Sequence, residues 1–457
     1  MSLLDRLISL AREGWDSTFR SASTLDRAVE HLVAGVSTMG RRTISRTITA
    51  LGRGHQDWSA DYKIFSRSSW QVNSLFDPIV TNGLPLTGQG PIPIALDDTK
   101  LKKTGRSIPL AGWHRDPLSP PFHTNLQWGL RYLQASLLVP HDAEAQVGCR
   151  SLPIRFEPAP WVKKPGKKAT DEDRAAYQKQ KKEQNLSRTG RELLTELRAT
   201  FDQAGASMRL LIAAVDGSFC NKALFSEPLD RTRLLARARK DARLCFPAPP
   251  ESRRIYSAER FTPEQVRQNE SIPWATAEIF YTGQLRDIRY KEVTGLLWQR
   301  GSGPRPMRLL IIAPQPYKAP NCRTYRQPAY LLTDDLETPA QLLIQIYFDR
   351  WQIEVNHREE KSFIGVGDAQ LWNELAAPRH PTFQVACYSL ILLSGTLEYG
   401  SARDDDYTAL PKWRKRSTRP SILDLLTKLR LELCNETCAT HKLPQFSGQS
   451  FVLSAFT

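Results

Sequence analysis

The amino-acid sequence predicts a mixed α/β protein whose two ends are helical. Apolar residues recur at helical spacing near the start, as with Leu3, Leu4 and Leu7, and again over residues 338–363. Between these regions lie short apolar runs, of which 209–215 is continuous and is therefore typical of a strand covered on both faces of a sheet. A chain of 457 residues, 40% of them hydrophobic, has room for two or three domains or for one enlarged α/β domain.

The first region, residues 1–90, is expected to be a helical N-terminal DNA-binding domain. It carries ten basic and eight acidic residues, so this expectation depends on its position and its helical pattern rather than on its charge. A stretch rich in glycine and proline, residues 81–91, separates it from the region that follows.

Residues 91–230 are expected to form the first part of an α/β core. Acidic residues follow two of its predicted strands: Asp97 and Asp98 follow the first, and Asp216 follows the last. An aspartate in such a position is commonly a turn or helix-capping residue, so neither position is sufficient evidence of a site. The predicted strands are the segments 92–96, 123–130, 132–139 and 209–215.

A lysine-rich arm, residues 161–191, interrupts these strands. It holds ten basic and four acidic residues and few apolar ones. We expect it to be a solvated helix or a mobile segment.

Three further regions complete the chain. Residues 231–333 predict a basic, β-rich insertion that ends in a core strand at 329–333. Residues 334–375 contain one long helix, at 338–363, and form the second part of the core. Residues 376–457 are expected to be a helical C-terminal region with a basic loop at 412–419.

The positive charge of the chain is concentrated rather than spread. There are 63 lysines and arginines against 48 aspartates and glutamates, a net charge of +15. Separate cationic patches on an otherwise acidic chain favour a polyanionic partner, and nucleic acid is favoured over a membrane surface because no patch coincides with a strongly amphipathic helix. The excess lies in four stretches, 161–191, 231–254, 286–326 and 412–419.

The cysteine pattern and the hydropathy indicate a soluble protein in a reducing compartment. The seven cysteines are scattered; Cys434, Cys438 and His441 could ligate a metal but lack a clear fourth ligand, so reduced thiols are favoured over a zinc site. No apolar run approaches the roughly 20 residues of a membrane span, and the N-terminus lacks a secretory pattern. We expect a cytoplasmic protein without membrane partners.

Four polar residues fall on one stripe of the long predicted helix. On a continuous helix Tyr347, Arg350, Glu354 and Lys361 lie within about 60° of one another. A stripe of phenol, guanidinium, carboxylate and ammonium groups suits a metal ion and phosphates. The plainer interpretation is a surface ion pair, because Arg350 and Glu354 are four residues apart.

This spacing, Tyr-x2-Arg-x3-Glu-x6-Lys, resembles the YREK signature of bacterial insertion-sequence transposases with a DDE active site. The segment at 96–99, Leu-Asp-Asp-Thr, resembles the first catalytic block of that family, and the segment at 215–218, Val-Asp-Gly-Ser, resembles its second. The segment at 329–334, Ala-Tyr-Leu-Leu-Thr-Asp, resembles the strand before the YREK helix. The resemblance covers roughly residues 92–375.

The resemblance implies an RNase H-like catalytic core with a β-rich insertion. It also implies that Asp97, Asp216 and Glu354 are the catalytic residues and the ligands of two Mg²⁺ ions, with Mn²⁺ as a possible substitute. Asp98 competes with Asp97 as the first ligand; Asp97 is preferred because it directly ends the apolar run.

The same resemblance implies DNA-binding roles for further residues. Tyr347, Arg350 and Lys361 would hold phosphates near the transposon end, and Tyr330 or Trp298 could hold a flipped base. The partners would be the double-stranded DNA of the transposon ends and of the target, bound by a homodimer at the bacterial nucleoid.

The function expected from the sequence is therefore DNA transposition. The protein would bind terminal inverted repeats, cleave DNA strands and transfer 3′-hydroxyl ends to target DNA. Two alternatives stay open: a domesticated or inactive transposase that only binds DNA, and a nuclease that cuts without strand transfer.

Overall fold

A computed structural model describes residues 1–116, 119–120, 122–319, 322–403, 405–410, 412–413 and 418–434, and for residues 317–319 and 322–324 it describes the backbone alone. The chain forms two compact units. The first contains Met1–Leu86, Asp98–Gln184 and the described residues from Ile353 onward; the second contains Thr87–Asp97 and Asn185–Gln352.

Helices dominate the two ends of the chain, as predicted. Most begin with a side-chain cap, for example Ser2 in front of the first helix and Ser21 in front of the second. The described helices are α1 (Leu3–Trp15), α2 (Ala22–Ser37), α3 (Ile44–Ala50), α4 (Ser59–Ser66), α5 (Asp77–Gly83), α6 (Asp171–Glu183), α7 (Leu186–Phe201), α8 (Lys222–Phe225), α9 (Pro263–Gln268), α10 (Ala340–Asp349), α11 (Gln352–Ser362), α12 (Ala376–Tyr399) and α13 (Ile422–Cys434).

Strands occupy the middle of the chain. Residues 231–333 are rich in strands, as predicted. The described strands are β1 (Ile92–Lys102), β2 (Gly112–Arg115), β3 (Leu126–Val139), β4 (Arg150–Pro158), β5 (Leu211–Val215), β6 (Thr232–Arg237), β7 (Ala275–Tyr281), β8 (Gln284–Trp298), β9 (Gly303–Ile312), β10 (Pro316–Ala319), β11 (Cys322–Tyr325) and β12 (Ala329–Thr333).

The first unit packs helices around a few strands. The long helix α12 is buried along most of its length and contacts α1, α5, α13 and strand β4. Strand β3 pairs antiparallel with β2 and with β4, and it lies beside the part of β1 that belongs to this unit.

The second unit is built on a large mixed sheet. Its strands follow the order β1, β5, β6, β12, β9, β8, β7. Strands β1, β5 and β6 are parallel, while β12 runs antiparallel to β6 and β9. All five residues of β5 are buried, as its continuous apolar run predicts. The predicted α/β class is therefore confirmed.

Three sequence predictions about elements need correction. The first strand does not end before Asp97 but runs on to Lys102, and the two strands predicted at 123–130 and 132–139 form the single strand β3. The helix predicted over 338–363 is two helices. The amide of Trp351 bonds to the carbonyl of Phe348, three residues back, and this interrupts the α-helical ladder.

The predictions for the lysine-rich arm and for the C-terminal region hold for part of their residues. Helix α6 confirms the solvated helix predicted for the arm, whereas the arm's last residues begin α7, whose apolar face is buried. The C-terminal region is helical as far as Cys434. Cys438, His441 and residues 414–417 of the predicted basic loop lie outside the described residues. Among the described helices none is long and apolar enough to cross a membrane.

Candidate functional site

Two of the predicted acidic residues lie side by side at one edge of the second unit's sheet. Leu96 of β1 is in register with Val215 of β5, so the next residues along these parallel strands are Asp97 and Asp216. Neighbouring strands are about 4.8 Å apart, and the carboxyl ends of parallel strands are where open α/β sheets bind ligands. The site thus begins with two carboxylates in the same row of adjacent parallel strands, Asp97 within β1 and Asp216 directly after β5.

A third strand adds a cation to this edge. Val215 is in register with Ala236 of β6, so Arg237 stands next to Asp216 in the same row. Its side chain is exposed. The sequence analysis did not select Arg237 individually, although it lies in the basic stretch 231–254.

The structure distinguishes Asp97 from Asp98. Side chains alternate between the two faces of a strand, so adjacent aspartates point in opposite directions, and the register makes Asp97 the neighbour of Asp216. Asp98 belongs to the first unit, where its carboxylate accepts a hydrogen bond of 2.7 Å from Arg131. This geometry favours Asp97 as the partner of Asp216.

Arg350 connects the YREK segment to the first aspartate. Its Nη1 lies 3.5 Å from Oδ2 of Asp97, and the two side chains are only 12% and 17% exposed. An ion pair that is largely shielded from water is stronger than one on the surface. The guanidinium also offsets the repulsion between the carboxylates of Asp97 and Asp216.

Tyr347 stands among the charges of the same unit. Burial raises the pKa of its phenol, the nearby cations Arg237, Arg350 and Arg326 lower that pKa, and Asp216 raises it. The phenol is therefore within electrostatic range of three arginines and one of the two carboxylates. Arg326, which is exposed, was also not selected from sequence, but it lies in the basic stretch 286–326.

The polar stripe predicted from sequence requires one continuous helix, whereas the structure has two helices there. The break at Arg350 and Trp351 means that a constant rotation of 100° per residue does not run from Tyr347 to Lys361. Glu354, half-buried, and Lys361, exposed, lie on α11, which belongs to the first unit.

The carboxylates at the sheet edge suit a hard metal ion only in part. Mg²⁺ is usually held by one or two protein carboxylates, and water and substrate phosphates complete its coordination. Asp97 and Asp216 could provide the two carboxylates. Within the described ranges, no group of three or more His, Cys, Asp or Glu residues is placed to hold a metal ion. The two aspartates therefore fit a Mg²⁺ ion, and Glu354 enters only as a proposed third ligand.

The two aromatic candidates for base binding differ in access. Tyr330 is 6% exposed, its hydroxyl donates to Glu264, and burial raises its pKa to about 12. Trp298, at the end of β8, is partly exposed and meets Phe225 edge-to-face, with 5.7 Å between ring centroids. In this structure a nucleotide could reach Trp298 but not the buried ring of Tyr330.

Two buried glutamates, Glu359 and Glu360, lie on α11 in the first unit, between Glu354 and Lys361. Glu359 accepts a hydrogen bond of 2.6 Å from the hydroxyl of Tyr388. Burial raises the pKa of Glu360 to about 8, although a hydrogen bond from Gln134 lowers it in part. Neither side chain faces solvent, so both are more consistent with a role in the core than with DNA binding.

Glu360→Gln is expected to stabilise the protein above neutral pH. A folded-state pKa of about 8 against 4.5 for the free side chain means that stability falls as pH rises from 4.5 toward 8. Removing the ionisation should add roughly 1–3 kcal/mol to the free energy of unfolding at pH 8 and little at pH 4. Urea unfolding at both pH values measures this. The exposed Glu374→Gln is the control, and equal shifts in both variants would contradict the prediction.

A groove in the first unit presents a second cationic surface. It has a volume of about 1000 Å³ and lies between α3, α4 and the segment 368–376. Arg41, Arg46 and Arg67, all exposed, line it together with hydroxyl groups and the exposed Trp372. The sequence analysis missed this cluster because the first 90 residues are nearly neutral as a whole and the arginines converge only in the fold.

The turn that leads into one side of this groove, the segment 368–376, is held by hydrogen bonds to its backbone. The ammonium of Lys103, which is buried, donates to the carbonyls of Gly367 and Ala369 at 2.6 and 2.7 Å. Gly367 has φ of +96°, and a Cβ there would come within 3.0 Å of Leu101, so this turn requires glycine. The chain on this side of the groove is thus held in a defined conformation.

Comparison with known proteins adds no identification. No protein-family model matches the chain, and no curated protein matches it.

Proposed function

We propose that the protein is a DDE transposase that binds transposon terminal inverted repeats, cleaves DNA strands and transfers 3′-hydroxyl ends to target DNA. The proposal includes an RNase H-like core and assigns Glu354 as the third catalytic carboxylate, in addition to Asp97 and Asp216. The observation that carries it is the adjacency of Asp97 and Asp216, with Arg350 of the YREK segment paired to Asp97.

The chemistry requires acidic residues within a cationic surrounding. Divalent metal ions, when bound, would activate the attacking oxygen and stabilise the leaving oxygen of a phosphodiester. Asp97 and Asp216 would supply hard oxygen ligands from neighbouring positions, one within β1 and one directly after β5. In this proposal Arg237, Arg326 and Tyr347 would hold phosphate oxygens; the phenol of Tyr347 is within electrostatic range of both arginines and of Asp216.

The groove of the first unit supports the DNA partner. Three exposed arginines and several hydroxyl groups match a phosphate backbone, and Trp372 offers an exposed ring. We propose that this groove is part of the DNA-binding surface expected for the N-terminal region. The protein would act as a homodimer on DNA in the bacterial cytoplasm.

The test is a cleavage and joining assay with the natural flanking DNA. A plasmid carrying the coding sequence and its flanks is incubated with purified protein and Mg²⁺, together with a second target plasmid. We expect Mg²⁺-dependent breaks at inverted repeats and joined products that carry the 3′ ends. Cutting without joining would indicate a nuclease, and binding without cutting would indicate an inactive DNA-binding protein; either result would overturn the proposal.

Replacing Arg41, Arg46 and Arg67 by alanine should weaken binding to terminal-repeat DNA. Each phosphate contact contributes about 0.9 to the slope of log K against log salt, so losing three should lower that slope by roughly 2–3. Fluorescence anisotropy over a salt series measures the effect. The control is Arg12→Ala with Arg20→Ala, two arginines of the same region that are not among the residues lining the groove. Equal slopes for wild type and the triple variant would contradict a DNA-binding groove.

A further inference from the structure

The lysine-rich arm contains a helix that rests on no part of the core. None of the thirteen residues of α6, all within the described part of the chain, is buried. A helix that is polar all round gains no stability from an apolar face and needs another source. In α6 the source is local.

A capping box and an ion pair stabilise the N-terminus of α6. Thr170 and Asp173 form a capping box, and Arg174 bonds to Asp171 at 3.1 Å. Arg174 also donates to the carbonyl of Lys167 at 3.5 Å, which holds the preceding segment against the first turn. Acidic residues in the first turn and lysines in the last turn complement the helix dipole. The arm therefore has a defined shape that does not depend on core packing.

The two ends of the exposed part are anchored. Before it, the amide of Ala159 bonds to the carbonyl of Arg131 at 2.8 Å. Trp161 packs so closely on Gly112 that a Cβ there would lie 2.7 Å from the tryptophan Cβ. After it, Asn185 caps α7, whose apolar face is buried in the second unit. Only the residues between these anchors project from the core.

The residues between the two anchors are rich in exposed lysines. Residues 161–184 contain eight basic and four acidic side chains, and three of the acids are confined to the first turn of α6. An ammonium on a flexible stem binds a phosphate as a point charge, without the planar fork that favours fixed geometry. The exposed lysines are Lys163, Lys164, Lys167, Lys168, Lys179, Lys181 and Lys182.

We propose that the lysine-rich arm binds the phosphate backbone of duplex DNA without reading its sequence, as a contact separate from the carboxylate site and from the groove. An anionic membrane fits less well, because interfacial helices need an apolar face and α6 offers only Ala175, Ala176 and Tyr177 outside its polar residues. A transposase must hold target DNA of no fixed sequence, and the arm suits that role. This last assignment rests on the proposed function, whereas the binding itself does not.

The test compares two sextuple variants of the full chain. In one, Lys163, Lys164, Lys167, Lys168, Lys181 and Lys182 become glutamine; in the other, the same six become arginine, which keeps the charge. Binding to a random-sequence duplex of about 30 base pairs is measured by anisotropy over a salt series. We expect the glutamine variant to bind at least about tenfold more weakly near 100 mM salt, with the slope lowered by roughly 3 or more. The arginine variant should bind within about threefold of wild type.

Two further measurements distinguish a loss of DNA contacts from unfolding and from a loss of membrane binding. The melting temperature of the glutamine variant should match that of wild type, because all six substituted lysines are exposed and α6 has no buried residue. Vesicles of anionic phospholipid serve as the competing partner. An unchanged slope in the glutamine variant, or a loss confined to vesicle binding, would overturn the proposal. If the wild-type protein cuts no DNA, the proposed function fails, but the binding comparison stands on its own.

Discussion

Asp97→Asn and Asp216→Asn are each expected to reduce Mg²⁺-dependent strand cleavage by about a thousandfold or more, which corresponds to roughly 4 kcal/mol of activation free energy. Asparagine keeps the size of the side chain but removes the charge that a hard cation requires. The two residues directly follow the paired segments of β1 and β5 and stand next to each other, so the two losses of activity should be comparable. Single-turnover cleavage of an end-labelled terminal-repeat duplex measures it.

Asp98→Asn is the matched control for Asp97→Asn. It makes the same chemical change one residue away, on the opposite face of β1, at a carboxylate already bonded to Arg131. Cleavage by this variant should stay within a few-fold of wild type, and all three variants should still bind the duplex. If Asp98→Asn lost activity while Asp97→Asn kept it, the assignment of the first carboxylate would be wrong. If none lost activity, the site would lie elsewhere.

The parts of the fold that were predictable are those that local patterns determine. The continuous apolar run at 209–215 predicted the buried strand β5, and Asp216 directly after it marked the strand end. The polar composition of the lysine-rich arm predicted a solvated helix. In each case one short segment contains both the pattern and its cause.

The parts that were missed depend on pairing between distant segments. Arg237 enters the candidate site only because β6 pairs with β5 in a particular register, which no local pattern contains. The groove arginines converge in the same way from helices and loops of a nearly neutral region. The break after α10 was missed because the sequence there contains no proline or glycine to mark it.

A buried charge cluster in the first unit gives the largest expected effect on stability. Asp61, which is fully buried, accepts hydrogen bonds at Oδ1 from Arg27, His31 and Arg53 at 2.9, 3.1 and 3.1 Å. Burial alone would raise the pKa of this carboxyl, but the bonds from His31 and Arg27 outweigh it and lower the pKa to about 2. The cluster ties α2 and the loop after α3 to α4.

Asp61→Asn is expected to lower the free energy of unfolding by roughly 3 kcal/mol at neutral pH, because it leaves partly buried cations without their counter-charge. The depressed pKa fixes the pH window: the contribution is present above about pH 4 and is lost as pH falls toward about 2. The difference between wild type and variant in urea unfolding should therefore narrow over that range. The exposed Asp57→Asn, four residues earlier, is the control and should lower the free energy of unfolding much less than Asp61→Asn does. A difference that persisted unchanged at low pH would show that the carboxylate charge is not what holds these helices together.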